Sequence, residues 1–527
     1  MIDFYTIKKS GDRMSSSENP IYRFSEAPIW ELQRSYFEEQ GIKAWESDEV
    51  PQYITSNPVI GTAYAEIIFS FLQDRAQLGE SAEPVTIVEL GAGSGRLAFH
   101  ALKALTALVD EAELKLPPFR YVMSDLPLKN ITYWQQHESL RSFTEQGLLD
   151  FAKFDAVRDT ELHLTQAGIT LRAGDLRQPL LIIANYFFDS IPQELIYVDE
   201  SKIYECRVSY EPAGETEALT AAGRLEQMVP EYHYHRAAEY EEQSYPYREV
   251  IELYKQRLED AHILFPTIGL SCLERLGQLS PEGFLLLTAD KGDHRLENWE
   301  FAEPPKLIHH GSFSLTANYH AIQHTFECRG ALSYFTKHHY KNLNVGCMLM
   351  LNTPSSYAHT RLAYRRFVDR FGPDDFFSLK LWFDEHLGLL DLTQMIAFWR
   401  LSRYDSQLFL QCKDRLQELL PDASEEEAGD LYAGISVMWA SYYPMNEPHN
   451  LALACANLLY QLELYEAARE FFERSLKAYE ASGELLYNLA ICCYEIEDEA
   501  AALSYAQQAL ALEPGHEGTA ELIASFE

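Results

Sequence analysis

Apolar residues follow two patterns along this chain. Up to about residue 351, short unbroken apolar runs alternate with stretches of helical spacing; beyond about residue 362 the spacing is helical almost throughout. The run at 180–184 is unbroken and aliphatic, 85–90 is β-branched up to Glu89, and 119–124 (ended by Asp125) and 149–154 (followed by Asp155) are short, largely apolar stretches. Such runs predict strands buried on both faces, as in a parallel sheet. Helical spacing at 60–72 and 97–108 alternates with them, which predicts a doubly wound α/β sheet. Later strands are expected at 196–198, 284–288 and 346–351, and helices at 248–261 and 269–276. An N-terminal segment, 1–50, opens on a polar stretch and shows helical spacing over 28–45 through Ile29, Leu32, Tyr36 and Phe37, which suits a cap. Between 211 and 247 the pattern dissolves into a tyrosine-rich polar stretch punctuated by Pro212, Gly214, Gly223, Pro230 and Pro246, read as an inserted lid.

The helical part carries a self-similarity of 34 residues. Ala456, Ala467, Ala468 and Leu476 recur as Ala490, Ala501, Ala502 and Leu510. Two repeats fit, 449–482 and 483–516, with Pro514 at the end, as in a tetratricopeptide repeat (TPR). Two alone leave a core incomplete, so helices from 363 to 443 are expected to supply degenerate repeats or a packing partner. The domains expected are therefore 1–50, 51–361 and 362–527.

Composition narrows the partners. With 43 basic and 80 acidic residues the net charge is −37, a field that repels nucleic acid and anionic membrane and favours basic proteins or peptides. The eight cysteines show no C-x-x-C pair, so neither zinc nor a disulfide framework is expected. Residues 1–20 contain Lys8, Lys9 and Arg13 but no apolar segment, and nowhere do about eighteen apolar residues run together, from which a reduced, cytoplasmic location is expected.

The candidate chemistry starts at Glu89-Leu90-Gly91-Ala92-Gly93-Ser94-Gly95, a glycine turn between a strand and a helix. Dinucleotide sites carry G-x-G-x-x-G with an acid about twenty residues later and hold a pyrophosphate on a helix N-terminus. Here the glycines run G-x-G-x-G and the acid precedes them. That order suits S-adenosyl-L-methionine (SAM), which has no phosphate but carries a sulfonium and an ammonium. Glu89 can order the turn and hold the ammonium, while Gly91, Gly93 and Gly95 let backbone approach the ligand. Asp125 is placed to accept the ribose hydroxyls and Asp155 the adenine amino group; each could instead cap the turn after its strand. Asn185-Tyr186-Phe187-Phe188-Asp189-Ser190-Ile191-Pro192 ends the fourth strand, at the edge where α/β sheets bind ligands. Asn185 can offer a carbonyl to an acceptor N–H, Tyr186 can wall a dry slot, and Asp189 is the available carboxylate. Phe187 and Phe188 suit a core.

These residues together resemble the MidA-like SAM-dependent methyltransferase family over roughly 52–351. The likeness rests on Tyr53-Ile54-Thr55-Ser56-Asn57-Pro58-Val59-Ile60-Gly61, on the glycine turn, on the Asn185–Pro192 segment, on residues 285–292 and on Leu315-Thr316-Ala317-Asn318-Tyr319. The resemblance implies a Rossmann-like methyltransferase fold, SAM as methyl donor and a protein acceptor, with arginine the family's target. It departs at two places: Ala92 and Ser94 replace the family's P-x-G insertion, and Tyr186 stands where the family has glutamate. A guanidinium is held best by a bidentate carboxylate, so Tyr186 leaves the arginine assignment dependent on Asp189 or Glu194. The function expected is methylation of a protein or peptide side-chain nitrogen, with the repeats recruiting substrate or partner. The alternative is a non-catalytic SAM-binding TPR scaffold or assembly factor.

Overall fold

A computed structural model of the chain describes residues 19–46, 50–79, 82–210, 220–445, 447 and 449–526. Two compact units divide it. The smaller gathers Met1–Glu39, Phe188–Cys272 and Asp293–Thr325; the larger gathers Gln40–Phe187, Leu273–Gly292 and Phe326–Glu527.

The larger unit is built on seven strands: Val85–Leu90 (β1), Phe119–Asp125 (β2), Leu149–Lys153 (β3), Leu180–Asn185 (β4), Gly283–Asp290 (β5), Leu332–Tyr334 (β6) and Asn344–Leu351 (β7). Their order across the sheet is β6-β7-β5-β4-β1-β2-β3. The five strands from β5 to β3 are parallel, and β7 runs antiparallel to both of its neighbours. All of β1 is buried, as a parallel strand covered on both faces must be. The chain leaves β1 for β2 on one side and later returns to β4 on the other. This reversal is a topological switch point, where α/β sheets open a crevice beyond the carboxyl ends of their strands.

Two helices frame that crevice. Pro58–Gln77 (α1) starts where its N-terminal N–H groups need acceptors. Asn57 Oδ1 takes the amides of Val59 (2.9 Å) and Ile60 (3.2 Å), and Pro58 occupies the first turn. Arg96–Ala112 (α2) follows the glycine turn. A Cβ at Gly61 would lie 2.6 Å from His100 Cβ, so glycine permits the close approach of α1 to α2. Leu128–Gln136 (α3) and Glu138–Glu145 (α4) follow β2, and aliphatic and aromatic residues of the sheet and these helices form one core.

Past β7 come the helices Ala358–Tyr364, Pro373–His386, Leu392–Leu401 and Ser406–Leu419, then Glu425–Ala440 (α5). Leu451–Gln461 (α6), Tyr465–Ala478 (α7), Gly483–Glu495 (α8), Glu499–Leu512 (α9) and Glu517–Ala524 (α10) complete the chain. The small residues of the 34-residue recurrence face inward: Ala456, Ala468, Ala490 and Ala502 are fully buried. The recurrence extends to the backbone, since Glu463 and Glu497, 34 positions apart, both have φ near +60°. No helix among the described residues is long and apolar enough to cross a membrane.

The smaller unit holds an antiparallel sheet whose strands are Tyr22–Arg23, Glu194–Asp199, Lys202–Tyr210, Pro230–Arg236 and Ala261–Phe265. Two expectations are corrected here. Within the stretch read as an irregular lid, residues 211–219 lie outside the described residues, but Pro230–Arg236 is a strand paired with Lys202–Tyr210 from Pro230 opposite Tyr210 to Arg236 opposite Tyr204. Its sequence hides it because tyrosine and histidine, not an aliphatic stripe, make its cross-strand contacts; the rings of Tyr234 and Tyr197 lie 5.1 Å apart. The helix expected over 248–261 stops at Arg257, and Asp260, at φ +46°, turns the chain into Ala261–Phe265.

Candidate functional site

The glycine turn needs glycine at each of its three positions. Gly91, Gly93 and Gly95 have φ of +64°, +54° and +82°, the left-handed region that side chains disfavour. Hydrogen bonds fix it from three directions. The Ala92 amide donates to Ser124 O of β2 (3.0 Å), Trp134 Nε1 of α3 donates to Gly93 O (3.1 Å), and the Tyr443 hydroxyl donates to Ser94 O (3.0 Å). Side chains fill the space above two of the glycines: a Cβ at Gly93 would stand 3.0 Å from the Trp45 ring, and one at Gly95 2.7 Å from Met123 Cε and 2.9 Å from Tyr443 Oη. At Gly91 the nearest atom, on the Phe187 ring, is at an ordinary 3.6 Å. Backbone openness for a ligand, expected at all three, is therefore confined to Gly91 in this arrangement.

Two carboxyls adjoin the turn. Glu89, near the carboxyl end of β1, accepts the Tyr121 hydroxyl at Oε2 (2.8 Å), and burial pushes its carboxyl up to about 8. The Tyr121 hydrogen bond opposes that rise and the neighbouring Asp125 charge adds to it. Asp125, the last residue of β2, accepts the Gly93 amide (3.0 Å) and Asn130 Nδ2 (3.0 Å) at Oδ2 and the Leu126 amide (2.8 Å) at Oδ1. Its carboxyl is likewise raised by burial, against those hydrogen bonds. No basic side chain is bonded to either carboxyl among the described residues. A buried acid beside a second carboxylate and without a bonded basic side chain fits a cationic ligand, since a nearby positive charge favours the ionised form of Glu89. Asp155 follows β3, its Oδ1 taking the Val157 amide (2.9 Å) while its own amide donates to Asp159 Oδ2 (2.7 Å). That is the geometry of a turn cap.

The Asn185–Asp189 segment is divided by the boundary between the units after Phe187. In the larger unit Asn185 ends β4; its Oδ1 accepts the Tyr64 hydroxyl of α1 (2.7 Å) and its Nδ2 donates to Thr55 O (3.3 Å). Tyr186 is left-handed at φ +47°, and its amide donates to Ala289 O of β5 (3.0 Å). An aromatic residue held there is strained, as residues at functional turns often are. Asp189, in the smaller unit, is buried and its carbonyl accepts the Leu315 amide (3.1 Å). Glu194, also in the smaller unit, accepts the Tyr240 hydroxyl at 2.5 Å and the Ser25 hydroxyl at 3.5 Å. Phe187 and Phe188 are buried.

Thus Glu89, the three glycines and Asp125 form one cluster, and Asn185 sits two residues past the position of β4 that pairs with Glu89. Sequence reasoning missed Tyr64, Thr55, Tyr121 and Tyr443. Tyr64 and Thr55 lie in or beside the Tyr53–Gly61 motif, whose asparagine caps α1; that motif delivers both of Asn185's partners. Tyr121 could have been found from β2, since it is two positions before Met123, which pairs with Glu89. Tyr443 lies 349 positions from Ser94 and had no local signal. Among the described residues no group of three or more His, Cys, Asp or Glu is placed to hold a metal ion.

Residues 68–298 match the model of a family described as "putative S-adenosyl-L-methionine-dependent methyltransferase". No curated protein matches the chain. Two solved structures from Burkholderia thailandensis are similar over 60% of this chain and 74% of their own. One is an uncharacterized protein, 15% identical with a TM-score of 0.38; the other, described as a "likely methyl transferase" and bound to S-adenosyl-homocysteine, is 17% identical with a TM-score of 0.40. The segment 68–298, which spans the glycine turn and both strand-end carboxyls, carries a methyltransferase domain that uses SAM as its methyl donor.

Proposed function

We propose that this methyltransferase modifies a side-chain nitrogen of a protein or peptide, as a relative of the MidA-like enzymes, with its helical repeats acting as a TPR-like recruiting surface. The observation that carries the donor half is the buried carboxyl of Glu89 and the half-buried one of Asp125, side by side at the glycine turn at the switch point. In this reading Glu89 faces the donor's ammonium, Asp125 its ribose, and Asp155 lies toward its adenine. Bound there, SAM supplies an electrophilic methyl group on a sulfonium. The chain's own contribution is position and dryness: Asn185, fixed by Tyr64 and Thr55, offers the second lone pair of its carbonyl to an acceptor N–H, and Tyr186 walls the slot.

A net charge of −37 favours a basic acceptor, and arginine is the family's precedent. With Tyr186 in place of glutamate, Asp189 is the carboxylate assigned to a guanidinium or to the departing proton. The 34-residue recurrence, with its buried alanines, supports repeat stacking and recruitment along the helices.

The test is calorimetric titration with S-adenosyl-homocysteine followed by transfer of labelled methyl from SAM to proteins of a lysate. Donor binding with labelling of a basic protein supports the reading. Binding without any labelled acceptor favours the scaffold alternative, and absence of binding removes both.

A further inference from the structure

The glycine turn is held by a residue from the far end of the unit. Residues 440–445 and 447, which lead from α5 toward α6, touch α2 through Arg96, Phe99 and Lys103 and reach Tyr133 of α3 and His137, the residue between α3 and α4. The Tyr443 side chain is buried, its ring stacked on His137 at 3.9 Å between centroids and 6° between planes, and its hydroxyl donates to Ser94 O. Pro444 O accepts His137 Nε2 at 2.9 Å. Because His137 Nδ1 accepts the Ser139 amide (3.2 Å), the ring proton sits on Nε2. Arg96, the first residue of α2, pairs with Glu447 at 2.6 Å, and Glu447 in turn accepts the Met445 amide (2.9 Å) and the Tyr442 hydroxyl (3.0 Å). Lys103 of α2 donates to Ala440 O.

We propose that Tyr443 is a positioning residue for the methyl donor, setting the carbonyl side of the glycine turn from the helical segment so that donor affinity depends on the seating of residues 440–447. The sheet side of the turn is fixed by Ser124 and Asp125, and α3 supplies Trp134. Ser94 O is held by Tyr443, from the entrance to the repeats. A turn with three left-handed glycines has many alternative conformations, so each external bond selects among them. A ligand of the repeats that displaces segment 440–447 would release this bond and weaken the donor site. The inference rests on the donor reading of Glu89, the glycines and Asp125.

The experiment titrates the full-length protein and two variants with S-adenosyl-homocysteine by calorimetry, alongside their thermal unfolding. Tyr443→Phe keeps the stacked ring and removes only the hydroxyl bond to Ser94 O. Tyr364→Phe is the matched control, because Tyr364 is buried and its hydroxyl donates to a backbone carbonyl, Val345 O, at 2.9 Å. Both should unfold at similar temperatures. Tyr443→Phe is expected to weaken binding about five- to tenfold, the size of one buried hydrogen bond, and Tyr364→Phe to leave it unchanged. If both bind as tightly as the unaltered protein, or lose affinity equally, the positioning role is overturned and the donor site stands. If the unaltered protein does not bind, the donor reading itself fails.

Discussion

The glycine turn and the turn after Asn185, proposed above as the donor turn and the acceptor turn, leave the same edge of the same sheet, yet they are built differently. At the donor turn, backbone groups are bonded from β2, α3 and the 440–447 segment, all within one unit. At the acceptor turn the Asn185 amide is braced by α1 and the motif before it, after which the chain enters a left-handed Tyr186 and passes into the other unit. The difference teaches that the glycine turn is braced from several elements of one folded body, whereas the turn after β4 combines a fixed amide with a strained residue; in the proposed reading the first side serves the donor and the second the acceptor. A site that must accept one constant cofactor can be braced in this way, and the side that varies with substrate is where loops and strain collect.

This contrast can be broken most severely at Gly93. Gly93→Arg places a side chain at φ +54° and against Trp45, and should lower S-adenosyl-homocysteine affinity at least about 100-fold by calorimetry. Retained binding would mean that the turn is not the donor site. Asn185→Ala acts on the other side. Once a labelled acceptor is in hand, transfer should fall by about tenfold or more while donor affinity moves less than about threefold, because a positioned contact is lost from the acceptor slot. Equal losses in binding and turnover would erase the distinction between the two turns.

A smaller effect is expected from pH. Burial holds the ligand-free Glu89 carboxyl near 8, so it is protonated at neutrality, and an ammonium placed against it favours ionisation. Donor binding then releases a proton, and affinity should rise with pH up to about 8, by at most about tenfold per unit, and level off above. Glu89→Gln should flatten that profile. The sign for folding is the reverse. A carboxyl raised in the folded state contributes stability that is complete below its ordinary value of 4.5 and is lost as pH climbs through about 8. Urea titrations of the ligand-free protein should therefore show a decline over that window that Glu89→Gln lacks. The smallest effect is expected at Tyr186. Tyr186→Gly relieves a left-handed backbone, about 1 kcal/mol, against lost ring packing, so the unfolding temperature should shift by only a few degrees while donor affinity is unchanged.

The parallel sheet was legible because short, mostly apolar stretches, Leu180–Ala184 the most continuous, alternate with helical spacing, whereas the order of the strands, and with it the switch point, depends on pairing that no local pattern carries. The strand Pro230–Arg236 was not, since its aromatic and imidazole side chains carry no aliphatic alternation. That Glu89, the glycines and Asp125 meet at the end of two neighbouring strands was readable from local strand-turn-helix grammar. Their environment was not: that Asp125 takes the Gly93 amide, that Trp45 and Tyr443 occupy the space over Gly93 and Gly95, and that Tyr64 holds Asn185 depend on contacts between residues distant in the chain. The Tyr53–Gly61 motif was visible as a pattern, but its purpose, a capped helix end that presents Thr55 O and Tyr64 to one asparagine, emerges only in three dimensions.

The paired left-handed residues of the helical segment show how its two hairpins turn. Glu463 and Glu497 occupy equivalent places 34 residues apart, and neither is the glycine that such a backbone would favour. Each turn carries a conformational cost of about 1 kcal/mol. That cost is offset in the same way at both, since the following amides bond back alike, Leu464 to Leu459 O (3.0 Å) and Asp498 to Cys493 O (2.9 Å), so the two hairpins reverse along one backbone path.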